Sequence, residues 1–126
     1  LFEARGGTVP LAVLDWQSIS VTAGMLDISY FLGAGITRDE RRQHERDLLG
    51  LYLDELKRYG VRDYGWDALW HDYRVTAFQG VSTAIFASAA TARTERGDAM
   101  FLAMARGACA QVIDIDSFGA LLGTTG

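Results

Sequence analysis

The chain has 126 residues, of which 49% are hydrophobic and 22% charged, and its formal net charge is −4. This size and composition are typical of one globular domain with a modest core, and the acidic balance excludes the basic field that binds nucleic acid or an anionic membrane. The single cysteine, Cys109, excludes a disulfide framework and a cysteine zinc site, so a reduced, cytoplasmic setting fits best.

The first predicted element is a small β-hairpin. Residues 8–16 are rich in branched apolar side chains and follow a Gly-Gly turn at 6–7, so they are predicted to form a strand, with residues 1–5 as its partner. Asp15 stands at the end of this strand, where the chain turns outward and a side chain is held rigidly enough to bind a metal ion. A lone aspartate after a strand is, however, more often a turn or cap residue.

The rest of the chain is predicted to be helical. A short helix covers residues 24–32, and a capping box of Thr37 and Glu40 begins a second helix that runs to about residue 59. Its charges balance, which is typical of a solvated face. The predicted buried stripe of this second helix contains Leu48, Tyr52, Leu56 and Tyr59.

Three more helices follow in the prediction. One long helix spans residues 66–90, and its small side chains allow a neighbouring helix to approach closely. A fourth helix is capped by Asp98, extends to about residue 112 and carries Cys109 on its apolar face, and a last short one begins at 116–117. The small residues of the long helix are Gly80, Ser82, Ala84, Ala87 and Ala89.

Residues 13–32 carry the most informative pattern, V-L-D-W-Q-S-I-S-V-T-A-G-M-L-D-I-S-Y-F-L. This stretch resembles the aminoglycoside phosphotransferase and choline kinase group. In such kinases a strand delivers a metal-binding aspartate, and a glycine-containing loop and a helix with a further aspartate follow. The matching residues here are Asp15, Trp16 and Gln17, then Gly24, then Asp27. The resemblance continues more loosely to the Asp-Ile-Asp tail at 114–116 and so covers the whole chain.

The resemblance implies a fold and a set of site residues. The chain would be one domain, residues 1–126, forming the C-terminal helical lobe of a protein-kinase-like fold, mainly α with the hairpin and metal aspartate in 1–17 and helices in 24–122. Asp15 would hold the magnesium ion that bridges the phosphates of ATP. Asp27 would brace the catalytic loop through backbone hydrogen bonds, although an aspartate in a first helical turn is also stabilised by the helix dipole.

The resemblance also places the helices that line the acceptor pocket near Trp70 and Tyr73. These two are candidate substrate-pocket residues, although an aromatic stripe is usually core. His44 and His71 are isolated on helices, and no Gly-x-Gly-x-x-Gly or Gly-x-Ser-x-Gly pattern occurs, so zinc-enzyme, dinucleotide-binding and hydrolase interpretations are disfavoured.

The catalytic loop of these kinases has no counterpart in the chain. Phosphoryl transfer in this fold needs an aspartate and an asparagine from a His-Gly-Asp-type loop that precedes the metal-binding strand, and no such sequence occurs here. We therefore expect no catalytic residue in this chain, and we expect the chain alone to be inactive and to self-associate through exposed apolar surface. Because the first residue is Leu1 and not methionine, we also expect the natural protein to extend upstream.

Three hypotheses follow from the sequence. The first is the C-terminal lobe of an ATP- and Mg²⁺-dependent kinase that phosphorylates a hydroxyl of an aminoglycoside, choline or another alcohol. The second is a noncatalytic helical remnant or interaction module. The third is an unrelated helical ligand-binding bundle, in which Asp15 is dispensable and no nucleotide affects the protein.

Overall fold

The computed structural model describes residues 2–3, 11–12, 16 and 19–123. Two short strands, β1 (Phe2–Glu3) and β2 (Leu11–Ala12), pair antiparallel. The predicted turn at 6–7 and the candidate metal ligand Asp15 lie outside the described residues. The helices are α1 (Met25–Ala34), α2 (Arg38–Arg58), α3 (Trp66–Thr76), α4 (Phe78–Ala90), α5 (Glu95–Asp114) and α6 (Ser117–Leu122). The described part of the chain is therefore mainly helical.

The predicted capping box begins α2. The Thr37 hydroxyl accepts the Glu40 backbone N–H at 3.3 Å, and the Glu40 carboxylate accepts the Thr37 backbone N–H at 3.0 Å. These hydrogen bonds from Thr37, led by the one from its side chain, lower the pKa of Glu40 below its usual value. The prediction is confirmed, because each partner satisfies a backbone donor that the first helical turn leaves unpaired.

The buried stripe of α2 differs from the predicted one. Leu49 and Leu53 are buried, whereas Leu48 is 38% exposed and Tyr59 is 79% exposed, so these last two were wrongly assigned to the core. The stripe follows steps of four from Arg41, which is itself buried. The real face is therefore rotated by about one residue from the predicted one.

The long helix predicted over residues 66–90 is two helices that meet at Ala77. The Thr76 hydroxyl donates to the carbonyl of Asp72 at 2.7 Å, an interaction with the preceding turn that often bends helices. Ala77 is fully buried at the junction. The break lets α3 pack on α1 and α6 while α4 packs on α5 and α1.

Small residues bring α1, α4 and α5 close together. A Cβ atom added to Gly107 would lie 2.4 Å from the carbonyl oxygen of Gly33, and one added to Gly80 would lie 2.9 Å from the Cβ of Ala108. Gly80 and Ala84 of α4 are buried, as the sequence predicted. The prediction was wrong for two other small residues of α4, which are exposed: Ser82 and Ala89.

Replacing Gly107 by alanine should destabilise the protein, whereas the same change at Gly50 should stabilise it. Alanine is favoured over glycine inside a helix by roughly 0.5–1 kcal/mol, and a Cβ at Gly50 meets no atom within 4 Å. A Cβ at Gly107 would press on the backbone of α1, and overpacking of this kind costs roughly 1–3 kcal/mol. Urea unfolding of both variants measures the difference, and equal shifts would show that α1 and α5 do not touch.

The ends of the last helices are set by side-chain caps. Helix α5 begins at Glu95 and not at Asp98, because the Thr94 hydroxyl accepts the Gly97 backbone N–H at 3.0 Å. Helix α6 begins at Ser117 as predicted, capped by Asp116. Cys109 is exposed, which corrects its predicted place on the apolar face.

The core lies where α1, α2, α3 and α5 meet. It is extended by the half-buried rings of α3, among them Trp66 and Trp70. Among the described residues, no helix is long and apolar enough to cross a membrane. The buried core residues are Met25, Leu32, Leu49, Leu53, Leu69, Tyr73, Ala77, Val112 and Ile115.

Candidate functional site

Asp27 lies in the first turn of α1, with its side chain exposed. The start of this helix packs against Tyr52 of α2, since a Cβ atom added to Gly24 would lie 2.6 Å from the tyrosine hydroxyl. Burial raises the pKa of Tyr52, and the negative charge of Asp27 raises it further. The hydroxyl of Tyr52 therefore lies at the N-terminal end of α1, where the charge of Asp27 acts on it.

A shallow cavity of about 220 Å³ opens beside the start of α1. Two of the residues that line this cavity are hydrogen-bonded to each other: the Tyr64 hydroxyl donates to the carboxylate of Asp72 at 2.7 Å. Burial first, and then this hydrogen bond, raise the pKa of Tyr64 well above its usual value, so the phenol stays protonated. Among the described residues, none that lines the cavity is basic; they are Ala23, Gly24, Met25, Tyr52, Leu56, Val61, Tyr64 and Asp72.

The two predicted pocket residues, Trp70 and Tyr73, do not line this cavity. Tyr73 is fully buried, and its hydroxyl donates to Glu45 at 3.0 Å and accepts from the side-chain amide of Gln111 at 2.9 Å. Trp70 is half-buried, and the Arg46 guanidinium lies 4.6 Å from the centre of its ring. Of the pair, only Trp70 keeps an exposed part that a ligand could contact.

Arg41 is a buried charge that the sequence reasoning missed. Its guanidinium is 1% exposed and donates to the carboxylates of Glu45, at 2.7 Å, and Asp114. Arg38 donates to the same Asp114 carboxylate through two nitrogens, at 3.0 and 2.5 Å. The charges of α2 had been assigned to a solvated face. Arg41 could have been singled out because it precedes the buried Leu49 by two steps of four residues.

Asp114 should make the stability of the protein depend on pH in acid. Its pKa is lowered, chiefly by the hydrogen bond from Arg38 and also by Arg41, against an opposing effect of burial. A carboxyl group whose pKa is lower in the folded state stabilises the fold above the unfolded pKa, about 3.9, and this contribution is lost as the pH falls through the folded pKa. We expect Asp114→Asn to flatten the loss of stability below about pH 4 in urea titrations. The same change at exposed Asp63 is the control and should leave the slope unaltered.

A second arginine joins α3 to the turn between α5 and α6. Arg74 donates to the carbonyl of Ile115 at 2.7 Å, and to the carbonyl and carboxylate of Asp116 at 2.5 and 2.7 Å. Asp116 has a positive φ of 50°, which is uncommon outside glycine, so this contact holds an unfavourable backbone conformation. The structure thus joins α3 to the Asp-Ile-Asp segment at 114–116, which the sequence linked only loosely to the kinases.

A metal site is not formed by the described residues alone. Among Trp16 and residues 19–123, no group of three or more histidine, cysteine, aspartate or glutamate side chains could hold a metal ion. His44 and His71 are both exposed on their helices. The assignment of magnesium to Asp15 therefore stays a prediction from the sequence.

Comparison with known proteins relates the chain to one family, which is associated with kinase-like and choline kinase-like proteins. Residues 1–97 match the model of the family DUF1679, described as "Uncharacterized oxidoreductase dhs-27", and the chain belongs to this family. No match was found among curated proteins or solved structures. The resemblance seen in residues 13–32 is thus supported at the level of the family and no further.

Proposed function

We propose that the chain is the C-terminal helical lobe of an ATP-dependent phosphotransferase that phosphorylates a hydroxyl of a small molecule. The observation that carries the proposal is the family's association with choline kinase-like proteins. Two further features support it. Asp15 precedes α1 at the spacing that resembles these kinases, and Asp27 presents an exposed carboxylate in the first turn of that helix.

Each site residue has a role in this proposal. Asp15 would hold the magnesium ion of Mg-ATP, since carboxylate oxygens are the protein ligands that Mg²⁺ prefers; the ion would neutralise the charge of the phosphates. Asp27 would accept backbone N–H groups of the catalytic loop. Its exposure at the helix start leaves the carboxylate accessible to such a loop.

The cavity beside α1 is the best candidate for the acceptor subsite. It offers the rings of Tyr52 and Tyr64 and the carboxylate of Asp72, and no basic side chain lines it in the part of the chain that the structure describes. Aromatic faces and carboxylates attract positive charge. The cavity therefore suits an alcohol that carries an amine or ammonium group better than an anionic one. Trp70, with its half-exposed ring, stays a predicted pocket residue.

A noncatalytic module is the second candidate. It would keep the packing of the helices without the chemistry of a kinase, and residues 1–126 contain no His-Gly-Asp sequence. The oxidoreductase named in the family description gains no support from this chain, because no Gly-x-Gly-x-x-Gly fingerprint for a dinucleotide occurs in it. A noncatalytic module would transfer no phosphate from ATP, and an oxidoreductase would oxidise NADH or NADPH instead.

The test is an assay of the full-length natural protein with Mg-ATP and a panel of alcohols. Choline, ethanolamine and an aminoglycoside represent cationic acceptors, and glycerol and glycerate represent neutral and anionic ones. We expect ADP release together with an acceptor that gains one phosphoryl group, fastest for the cationic compounds. The 126-residue chain alone should show no turnover. Absence of transfer by the full-length protein, or oxidation of NADH or NADPH instead, would contradict the proposal.

A further inference from the structure

The inner face of α1 is contacted by polar side chains of two other helices. Gln111 of α5 donates a hydrogen bond from its side-chain amide to the carbonyl of Ser29 at 3.2 Å. One turn earlier, the hydroxyl of Thr76 lies 3.3 Å from the carbonyl of Met25. Residues four apart lie on the same face of a helix, so both contacts are made on one side of α1.

These contacts determine where Asp27 points. In an α-helix each residue is rotated by about 100° from the one before, so Asp27 lies about 200° from Met25 and about 200° from Ser29. It therefore faces away from the side of α1 that Gln111 and Thr76 contact, in agreement with its exposure. A rotation of α1 about its axis would turn the carboxylate away from its present direction.

Gln111 is the stronger of the two tethers. The Thr76 hydroxyl has one proton, and the Asp72 carbonyl at 2.7 Å is its nearer acceptor. The amide of Gln111 has two protons, which serve Ser29 on α1 and the hydroxyl of Tyr73 on α3. Gln111 is fully buried, so water does not compete for these donors.

Gln111 is itself held in place from both sides. Its partner Tyr73 donates to Glu45, which is paired with the buried Arg41. On the other side, a Cβ atom added to Gly33 would lie 2.0 Å from the Gln111 side-chain oxygen, so the amide has no room to rotate. The side-chain direction of Gln111 is thus fixed by α1, α2 and α3 together.

The unpaired amide oxygen of Gln111 indicates that this residue does more than stabilise the core. It is buried and accepts no hydrogen bond among the described residues. A buried polar atom without a partner destabilises a fold, so an apolar side chain of the same size would serve packing at least as well. What an apolar side chain would lose is the pair of directed donors to Ser29 and Tyr73.

We propose that Gln111 is a positioning residue, which sets the rotation of α1 and so directs Asp27 toward the loop that it supports. This inference rests on the proposed function. Gln111 touches no substrate or cofactor in this role and acts only through α1. The role predicts a loss of catalytic rate that is larger than the loss of stability explains.

Gln111→Met in the full-length protein tests the role. Methionine is similar in length, and the change removes both donors and the unpaired oxygen. Val112→Ala is the control, because Val112 is buried beside Gln111 on α5 and makes no polar contact with α1. We expect kcat to fall on the order of tenfold in the methionine variant, since misplacing a group by about 1 Å can cost roughly 100-fold. KM for ATP should hardly change.

Hydrogen exchange of the α1 amides gives a second readout that needs no activity. For Gln111→Met it should become faster mainly in α1, and to a smaller extent around Tyr73 in α3, whereas Val112→Ala should raise exchange in all packed helices. Unchanged kcat and unchanged α1 exchange would overturn the inference, and so would equal losses of rate in both variants in step with their stability. If the unsubstituted protein transfers no phosphate, the proposed function fails, and α1 exchange alone decides whether Gln111 holds this helix.

Discussion

Asp15→Asn is expected to lower kcat for phosphate transfer by the full-length protein on the order of 10²–10³-fold, the range for removing one group that stabilises charge in the transition state. The asparagine side chain is neutral and binds Mg²⁺ more weakly than a carboxylate does. Because the two side chains have nearly the same shape, the fold should be unaffected. Steady-state kinetics at several Mg²⁺ concentrations measure the effect, and excess Mg²⁺ should restore only part of the rate.

Asp63→Asn is the matched control for this experiment. Asp63 is an exposed loop residue, and its substitution changes the net charge by the same amount. It should leave kcat unaltered. An Asp15→Asn protein with full activity would identify Asp15 as a turn or cap residue, as the simpler interpretation of the sequence holds. The kinase proposal would then lose its metal ligand.

Arg41→Met is expected to destabilise the protein by about 3–5 kcal/mol, the usual effect of removing one partner of a buried ion pair. The guanidinium is 1% exposed and is paired with both Glu45 and Asp114. Without it, Glu45 loses the ion pair that the structure describes for it, and Asp114 keeps its pair with Arg38. Since a domain of this size has a total stability of roughly 5–15 kcal/mol, this loss is a large share of the total, and the urea midpoint should fall clearly.

Arg42→Met is the control, because Arg42 is the next residue on α2 and is exposed. Its stability in urea should stay within about 0.5 kcal/mol of the unsubstituted protein, as is usual for surface changes. Urea unfolding monitored by circular dichroism compares the two. If both variants unfold at the same urea concentration, the buried network does not hold α2 to α5.

Local sequence signals predicted the starts of two helices well. The capping box of Thr37 and Glu40 and the cap of α6 at Asp116 involve residues three positions apart, so the sequence contains both partners of each interaction. The break at Ala77 was not predicted. The helical spacing of residues 66–90 continues across it, and the contact of Thr76 with the carbonyl of Met25 joins residues 51 positions apart in the sequence.

The candidate site could be predicted only in part. The spacing after Asp15 correctly placed Asp27 in the first turn of α1. It gave no sign of the cavity, at which Tyr64, in the loop before α3, is hydrogen-bonded to Asp72 of that helix. The burial of Arg41 was equally hidden, because its partner Asp114 is 73 positions away and belongs to another helix. Periodicity assigns a residue to a face but does not identify a charged partner from a distant segment.

The most direct test of the central claim is a crystal structure of the full-length protein with Mn²⁺ and a non-hydrolysable ATP analogue. Anomalous scattering locates the metal without ambiguity. The kinase account predicts a manganese ion that is bound by Asp15 and by the phosphates of the nucleotide, with α1 and Asp27 beside it. A nucleotide-free protein, or a metal bound away from Asp15, would contradict the account and favour a noncatalytic helical module.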